Sequence, residues 1–483
     1  MKVLQVSAEY FPLLKTGGLA DVAGALPAAL RPLGCEVRPV LPGFAEMLAG
    51  LHGAQVVAEV AAPWGQPLRV LRGTLAVAGQ GDVVTAYVVD APALYLRPGG
   101  PYETPERQPH PDNHRRFAAF NWAAARLAQG LDADWQPDLV HGHDWHAGLV
   151  PAYLALPGAR PVPTLFTIHN LAYQGVFPRA DYDGLGLPLD FYQMEGLEFY
   201  GQWSFMKAGL FYAQRINTVS PTYAQEIQTP EHGCGLDGLL RHRSAVVSGI
   251  LNGIDSAIWN PATDACVPHA YHADDLSGKA LNKAALQAEA GLELQADAPL
   301  FIVVSRLTEQ KGLPLVLAGT DALVQQGAQL LVLGSGDATL EAAFTDKARQ
   351  HPGRVAVRLG YDEALSHRLF AGGDVTLVPS RFEPCGLTQM YGLAYGCVPL
   401  VRRVGGLADT VTDTDLITLS QGRATGVVFD QFDVNDFLRA VERMLALYHR
   451  PADWRQVQQT GMRQPLDWAD AARRYHALYR NMV

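Results

Sequence analysis

The sequence predicts an α/β protein with two doubly wound domains, and three observations carry that prediction. The chain has 483 residues, more than a single hydrophobic core usually serves. Short apolar runs alternate with helical patterns from end to end, the mark of βαβ units and parallel sheets. Hydrophobic residues make up 48% and charged residues 18%, which supplies ample core and excludes a disordered chain.

In the first half the runs at 3–8, 37–41, 84–89, 139–141, 164–168 and 215–219 read as strands. In the second half 300–305, 329–334, 355–359 and 375–379 do the same. Each half therefore holds enough strands for its own sheet. The seam is expected at VSGILNG (247–253), dividing the chain into 1–247 and 248–461. A final helix, within 462–483, places Trp468, Ala471, Ala472, Tyr475, Leu478 and Tyr479 at helical spacing, one stripe to bury.

The formal net charge is −10, with no block of Lys or Arg. This argues against nucleic acid or an anionic membrane as a partner, and any anionic ligand must meet its cations locally. The cysteines at 35, 234, 266, 385 and 397 are odd in number and form no C-x-x-C pair. A reduced compartment is the simpler reading. The opening MKVLQV reads as a strand rather than a leader, and no apolar run reaches the ~20 residues a bilayer needs. The expected location is the cytoplasm.

The chemistry-bearing strings follow the strands, where open α/β sheets bind ligands. Lys15-Thr16-Gly17-Gly18 follows the first strand and opens a helix near Asp21. Two glycines and a helix N-terminus suit an anion; the alternative is an ordinary βα turn with Lys15 solvated. Arg306 and Lys311, in SRLTEQKG, leave one strand end together and suit a diphosphate. Gly334-Ser335-Gly336-Asp337 offers another backbone cradle. In SRFEPCGLTQ a carboxylate, Glu383, stands just ahead of a helix expected over 388–395.

HGHDWH (141–146) and TIHNL (167–171) gather histidines, but their spacing matches no zinc template, so no metal is expected. A sugar site is the better functional reading. Trp145 or Tyr95 would offer a ring face, while Asp144 and Asn170 bind hydroxyls; a core role for His169 stays open. Three D-x-D strings, at 132–134, 181–183 and 413–415, read as turns or solvated loops rather than metal holders.

Together these strings resemble the bacterial glycogen synthase and plant starch synthase family, over essentially the whole chain. The resemblance rests on VSAEYFPLLKTGGLADVAGALP, DAPALYLRPGGPY, HGHDWHAG, TIHNLAYQG, ILNGID, SRLTEQKG and SRFEPCGLTQMYGLAYG in that order. It implies two Rossmann-like domains facing a cleft (the GT-B type), with the last helix crossing back to the first. It also implies retaining transfer of glucose from ADP-glucose to an α-1,4-glucan such as glycogen, without a cofactor.

Carried over by position, Lys15 and Gly18 match the loop at the donor diphosphate and glucose. Arg306 and Lys311 match the pair that neutralises the leaving diphosphate. Glu383 matches the essential glutamate beside the glucose ring, with Ser380 and the backbone of Cys385, Gly386, Leu387 and Thr388 at sugar and phosphate. His169 matches the histidine near the reacting carbon. Asp144, Trp145, Asn170 and Asn252 match sugar-side positions, as do Glu9 and Tyr95. Tyr361 resembles the residue that stacks on the base. Many related two-domain transferases carry a second glutamate eight positions after the first; Tyr391 stands there instead, as in glycogen and starch synthases, so no carboxylate meets the ribose there. Rival readings are another retaining transferase of the same fold and a catalytically silent glucan-binding protein.

Overall fold

A computed structural model describes residues 1–77 and 82–483. The chain divides into two compact units, one of Met1–Gly253 with Trp468–Val483, the other of Ile254–Asp467. The divisions fall a few residues after positions 247 and 461.

The first unit is built on a nine-stranded sheet among the described residues. Its strands are Lys2–Val6 (β1), Glu36–Pro42 (β2), His52–Ala61 (β3), Pro67–Ala76 (β4), Val83–Asp90 (β5), Leu139–His143 (β6), Thr164–Ile168 (β7), Arg215–Thr218 (β8) and Val247–Gly249 (β9). They run in the order β9-β8-β7-β6-β1-β2-β5-β4-β3. From β9 through β5 every pair is parallel; β3 and β4 extend the edge antiparallel. The β3–β4 pair was not expected. Most of β3 is exposed, so it lacks the apolar run that marks a buried strand.

The order reverses at β1, whose neighbours are β2 and β6. Crevices at such points, beyond the carboxyl ends of the strands, are where open sheets bind ligands. Helix Gly18–Leu30 (α1) follows β1 and starts three residues before Asp21, so Gly18 belongs to its first turn.

The second unit has a six-stranded, all-parallel sheet: Leu300–Val304 (β10), Gln329–Gly334 (β11), Val355–Leu359 (β12), Val375–Val378 (β13), Val398–Arg402 (β14) and Val427–Phe429 (β15). The order β12-β11-β10-β13-β14-β15 reverses between β10 and β13. The last two strands were not among the expected ones; β15 has only three residues, too few to carry a period of their own. Helices Leu313–Gln325 (α2) and Thr388–Ala394 (α3) follow β10 and β13.

Helix Trp468–Arg480 (α4) belongs to the first unit. Trp468, Ala471, Ala472, Tyr475 and Tyr479 are buried on a cluster with Val3, Val22, Leu26 and Val37, and Leu478 is partly buried beside them. Two of its aromatics also reach polar groups of the sheet. The Tyr479 hydroxyl lies 2.7 Å from His141 Nδ1, and Tyr475 accepts from Asn217 at 3.0 Å. Among the described residues no helix is long and apolar enough to cross a membrane.

Candidate functional site

The expected residues gather into two clusters, one in each unit. In the first unit Glu9 stands just past β1, buried, and accepts from Thr16 N at 2.8 Å, Gly17 N at 3.3 Å and the Tyr102 hydroxyl at 2.7 Å. The Thr16 hydroxyl donates to the same carboxylate. Lys15 pairs with Asp21 at 3.0 Å. The loop expected to cradle an anion thus already holds one, supplied by its own chain. A ligand phosphate must compete with Glu9 for those N–H groups.

β6 brings the next residues. His141 and His143 lie two apart on a strand and so share a face; their ring centroids are 4.0 Å apart. Asp144 then takes φ +58°, a left-handed conformation unusual outside glycine. That turn aims its Oδ1 at the loop after the neighbouring β7, where it accepts from His169 N at 3.0 Å and Asn170 N at 3.3 Å. Burial pushes the Asp144 carboxyl up to about 7, against the pull of these two donors. His141, His146 and His169 are pushed down to about 3 by the same loss of solvent, and His143 falls well below its ordinary value. The histidines are therefore neutral. His169 Nε2 sits 2.9 Å from His143 Nδ1. Asn252 is buried with its side-chain oxygen unpartnered among the described residues.

Two of the expected rings are enclosed. Tyr95 is 3% exposed; its hydroxyl donates to Arg116 O at 2.8 Å and its ring packs edge-on against Phe44. Trp145 is enclosed by Phe117, His146 and Phe205. It lies flat on Gly175, where a Cβ would come within 2.2 Å of the indole. Both rings pack against neighbouring side chains, as their large apolar area favours.

In the second unit Lys311 and Glu383 meet although 72 residues separate them. β10 and β13 are parallel neighbours, so their following loops emerge side by side. Gly312, at φ +73°, lets the first loop press against Pro379: a Cβ there would fall 1.9 Å from Pro379 O. Arg381 N donates to Gln310 O at 2.8 Å and locks the two loops. Lys311 Nζ then reaches Glu383 Oε2 at 2.6 Å, and Ser380 Oγ donates to the same oxygen at 2.9 Å. Glu383 is 4% exposed, and its carbonyl accepts from Gly406 N at 3.1 Å. Arg306 leaves the end of β10 exposed to solvent. Thr388 Oγ1 donates to Val304 O at 3.3 Å, tying the start of α3 to the same strand. Cys385 is buried; Gly386 and Leu387 are partly buried between Glu383 and α3. Tyr361, after β12, is 73% exposed, an open ring at a strand end.

Comparison with known proteins fits this geometry. A family model described as the starch synthase catalytic domain matches residues 2–242, and one described as glycosyl transferases group 1 matches 287–460. The chain is 59% identical to the glycogen synthase of Variovorax paradoxus (strain S110) over 100% of this chain and 99% of that protein. It is 57% identical to that of Leptothrix cholodnii over 100% of both. The chain belongs to the glycogen synthase family. It is a glycosyltransferase. Among solved structures, the catalytic domain of starch synthase IV from Arabidopsis thaliana, bound to ADP and acarbose, superposes with a TM-score of 0.88 at 31% identity, covering 99% of each chain. Sucrose-phosphate synthase from Thermosynechococcus elongatus, at 17% identity and TM-score 0.61 over 99% of this chain and 98% of that one, shares the fold alone. Two Rossmann-like domains of the GT-B type are thereby shown.

Several residues of these clusters were missed from the sequence. Tyr102 joins them: it donates to Glu9 while its ring stacks on His146 at 4.5 Å. Nothing local marks it. His143 was legible in principle, since H-G-H on a strand puts two imidazoles on one face. Tyr391 stacks on Trp259 at 3.7 Å, with His367 on the other side of that indole at 3.8 Å. The position is committed to packing. The D-x-D strings fall in turns and loops, as expected; within them Asp132 is buried, held by Arg72 at 2.9 Å and the Tyr87 hydroxyl at 2.7 Å, and Asp413 is bound by Arg443 at 2.8 Å. Asp183 pairs with Arg179 at 2.8 Å.

Proposed function

We propose that the chain transfers glucose from ADP-glucose to the non-reducing 4-hydroxyl of an α-1,4-glucan, with retention of configuration. The observation that carries this reading is the Lys311–Glu383–Ser380 cluster beside Arg306, at the point where the second sheet reverses order. Breaking the anomeric bond puts negative charge on the leaving phosphate and positive charge on the sugar. Cations at the first and a carboxylate or carbonyl near the second stabilise that separation. Arg306 and Lys311 take the phosphate, and Glu383 takes the sugar side while holding Lys311 in place. Ser380 and the 385–388 backbone line sugar and phosphate, and Tyr361 stacks on the base.

In the first unit Lys15 and Gly18 offer an anion site once Glu9 yields its N–H groups. Asp144, His169, Asn170 and Asn252 bind the sugars. Attack by the acceptor hydroxyl on the face the phosphate leaves, with that phosphate taking the proton, gives retention without a covalent intermediate. Because His169 is neutral with its pKa pushed down to about 3, it serves as a hydrogen-bonding group rather than a proton carrier at neutral pH. The ADP and acarbose carried by the starch synthase IV neighbour support a nucleotide and a glucan as ligands. The extra unpartnered oxygen of Asn252 supports a polar ligand there.

No metal or cofactor enters the proposal. The cytoplasm is the proposed location, and the domains are assigned as acceptor side (1–247 with the last helix) and donor side (248–461). The test is ADP release with glycogen as primer, comparing ADP-glucose with UDP-glucose at equal concentration. Preference for ADP-glucose by tenfold or more is expected; equal rates would remove the donor assignment.

A further inference from the structure

We propose that His143 is a positioning residue that fixes His169 as the tautomer carrying its proton on Nδ1. This rests on the reading of His169 as an active-site residue. The two rings meet at 2.9 Å, His143 Nδ1 to His169 Nε2. Both are neutral in their enclosed surroundings, so a single hydrogen lies between these nitrogens and one ring must donate.

The far side of His143 decides which. Its Nε2 is buried without a hydrogen-bond partner among the described residues. If His143 accepted at Nδ1, its own proton would sit on that Nε2, an N–H stripped of water with nothing to receive it. Orphaned buried N–H groups are the rarer kind in folded proteins. A bare ring lone pair there is the lesser loss. His143 therefore carries its proton on Nδ1 and donates it to His169 Nε2.

Two consequences follow for His169. Its Nε2 lone pair is occupied, and its proton is forced onto Nδ1, the nitrogen with no protein partner among the described residues. The ring becomes a hydrogen-bond donor toward a ligand oxygen, not a base. The next residue completes the grip, since Asp144 Oδ1 accepts from His169 N at 3.0 Å. The backbone and the ring tip of His169 are held by two successive residues of β6 and the turn after it. His143 is held in turn, fully buried, with the His141 ring 4.0 Å away and His141 bonded on both nitrogens, to the Tyr479 hydroxyl and Thr167 Oγ1 at 2.7 Å each.

The direct test is the 15N spectrum of histidine-labelled protein near neutral pH, with the His169 signals assigned against a His169→Gln variant. Nδ1 protonated and Nε2 bare is expected; the reverse pattern overturns the proposal whatever the activity. The second test uses His143→Asn, whose amide nitrogen stands near the Nδ1 position and donates, against His143→Leu, which cannot. The Leu variant should lose about 10–100-fold in kcat with the donor KM little changed, the range for partners that orient a functional histidine, and the Asn variant should recover most of it. Equal turnover in the two overturns the proposal. If the Leu variant does not fold, the spectrum and the Asn variant still decide. Normal turnover in His169→Ala would remove the active-site reading of His169 while leaving the tautomer measurement standing, so the two failures are distinguishable.

Discussion

The two clusters solve opposite problems. In the first unit His141, His146 and His169 are enclosed and pushed down, and Asp144 is pushed up to about 7 while accepting from two backbone N–H groups. In the second unit Lys311 pairs with Glu383 at 2.6 Å, and Arg306 stands exposed after β10. Under the proposed function the first cluster reads hydroxyls by geometry, and the second receives the charge that develops when a phosphate leaves. The contrast shows how one βαβ grammar yields either kind of surface, according to whether a buried carboxyl group meets a cation or only backbone N–H groups.

Removing a charge from the second cluster should have the largest effect. Lys311→Ala is expected to lower kcat by about 10²–10³, by analogy with a lost oxyanion-hole donor. Steady-state kinetics at saturating donor check it, and near-normal turnover would break the contrast at its strongest point. Next comes the packing of the neutral cluster. Gly175→Ala forces a methyl into the Trp145 ring at a positive φ, and should cost about 1–3 kcal/mol by overpacking and backbone strain. Denaturant unfolding measures this, with kcat little affected if Trp145 has only a structural role.

Titration sharpens the difference further. His141, His146 and His169 bind protons more weakly folded than unfolded, so their contribution is present above about pH 6.5 and is lost as pH falls toward about 3. Each should cost about 1.4 kcal/mol per pH unit through that window. Asp144 has the opposite sign: its pKa is raised, so it favours the folded state as pH falls through about 7 toward 4. The melting temperature should therefore drop on acidification from pH 6.5, and Asp144→Asn should make the drop steeper. An unchanged or shallower slope in that variant would contradict the assignment. Tyr479→Phe removes one buried hydrogen bond to His141 and should cost about 1 kcal/mol, read as a lowered melting temperature. The smallest stability effect is expected at Tyr361→Ala, within about 0.5 kcal/mol for so exposed a side chain. A raised donor KM would separate its proposed stacking role from a structural one.

Much of the second cluster was legible because its logic is local. Arg306, Lys311 and Glu383 sit directly after apolar strands, and parallel neighbours bring such loops together whatever the packing beneath. The first cluster was legible only in part. HGHDWH and TIHNL announced polar chemistry, yet their residues could not be sorted from the sequence. Tyr95 and Trp145 looked like sugar platforms and are core. Asp132 looked solvated and is buried on Arg72 and Tyr87. An aromatic ring or an aspartate has the same letter in either place, and burial depends on what other segments bring.

The sequence by itself determined the alternation of strands and helices, the division into two units and the placing of ionic loops at strand ends, since period and turn chemistry are properties of neighbouring residues. Only the tertiary structure decided that Glu9 fills the glycine loop, that Tyr102 bridges Glu9 to His146, and that His143 rather than solvent meets His169. Those contacts join residues 7 to 93 positions apart, and the loss of water that sets their protonation exists only once the chain has closed around them.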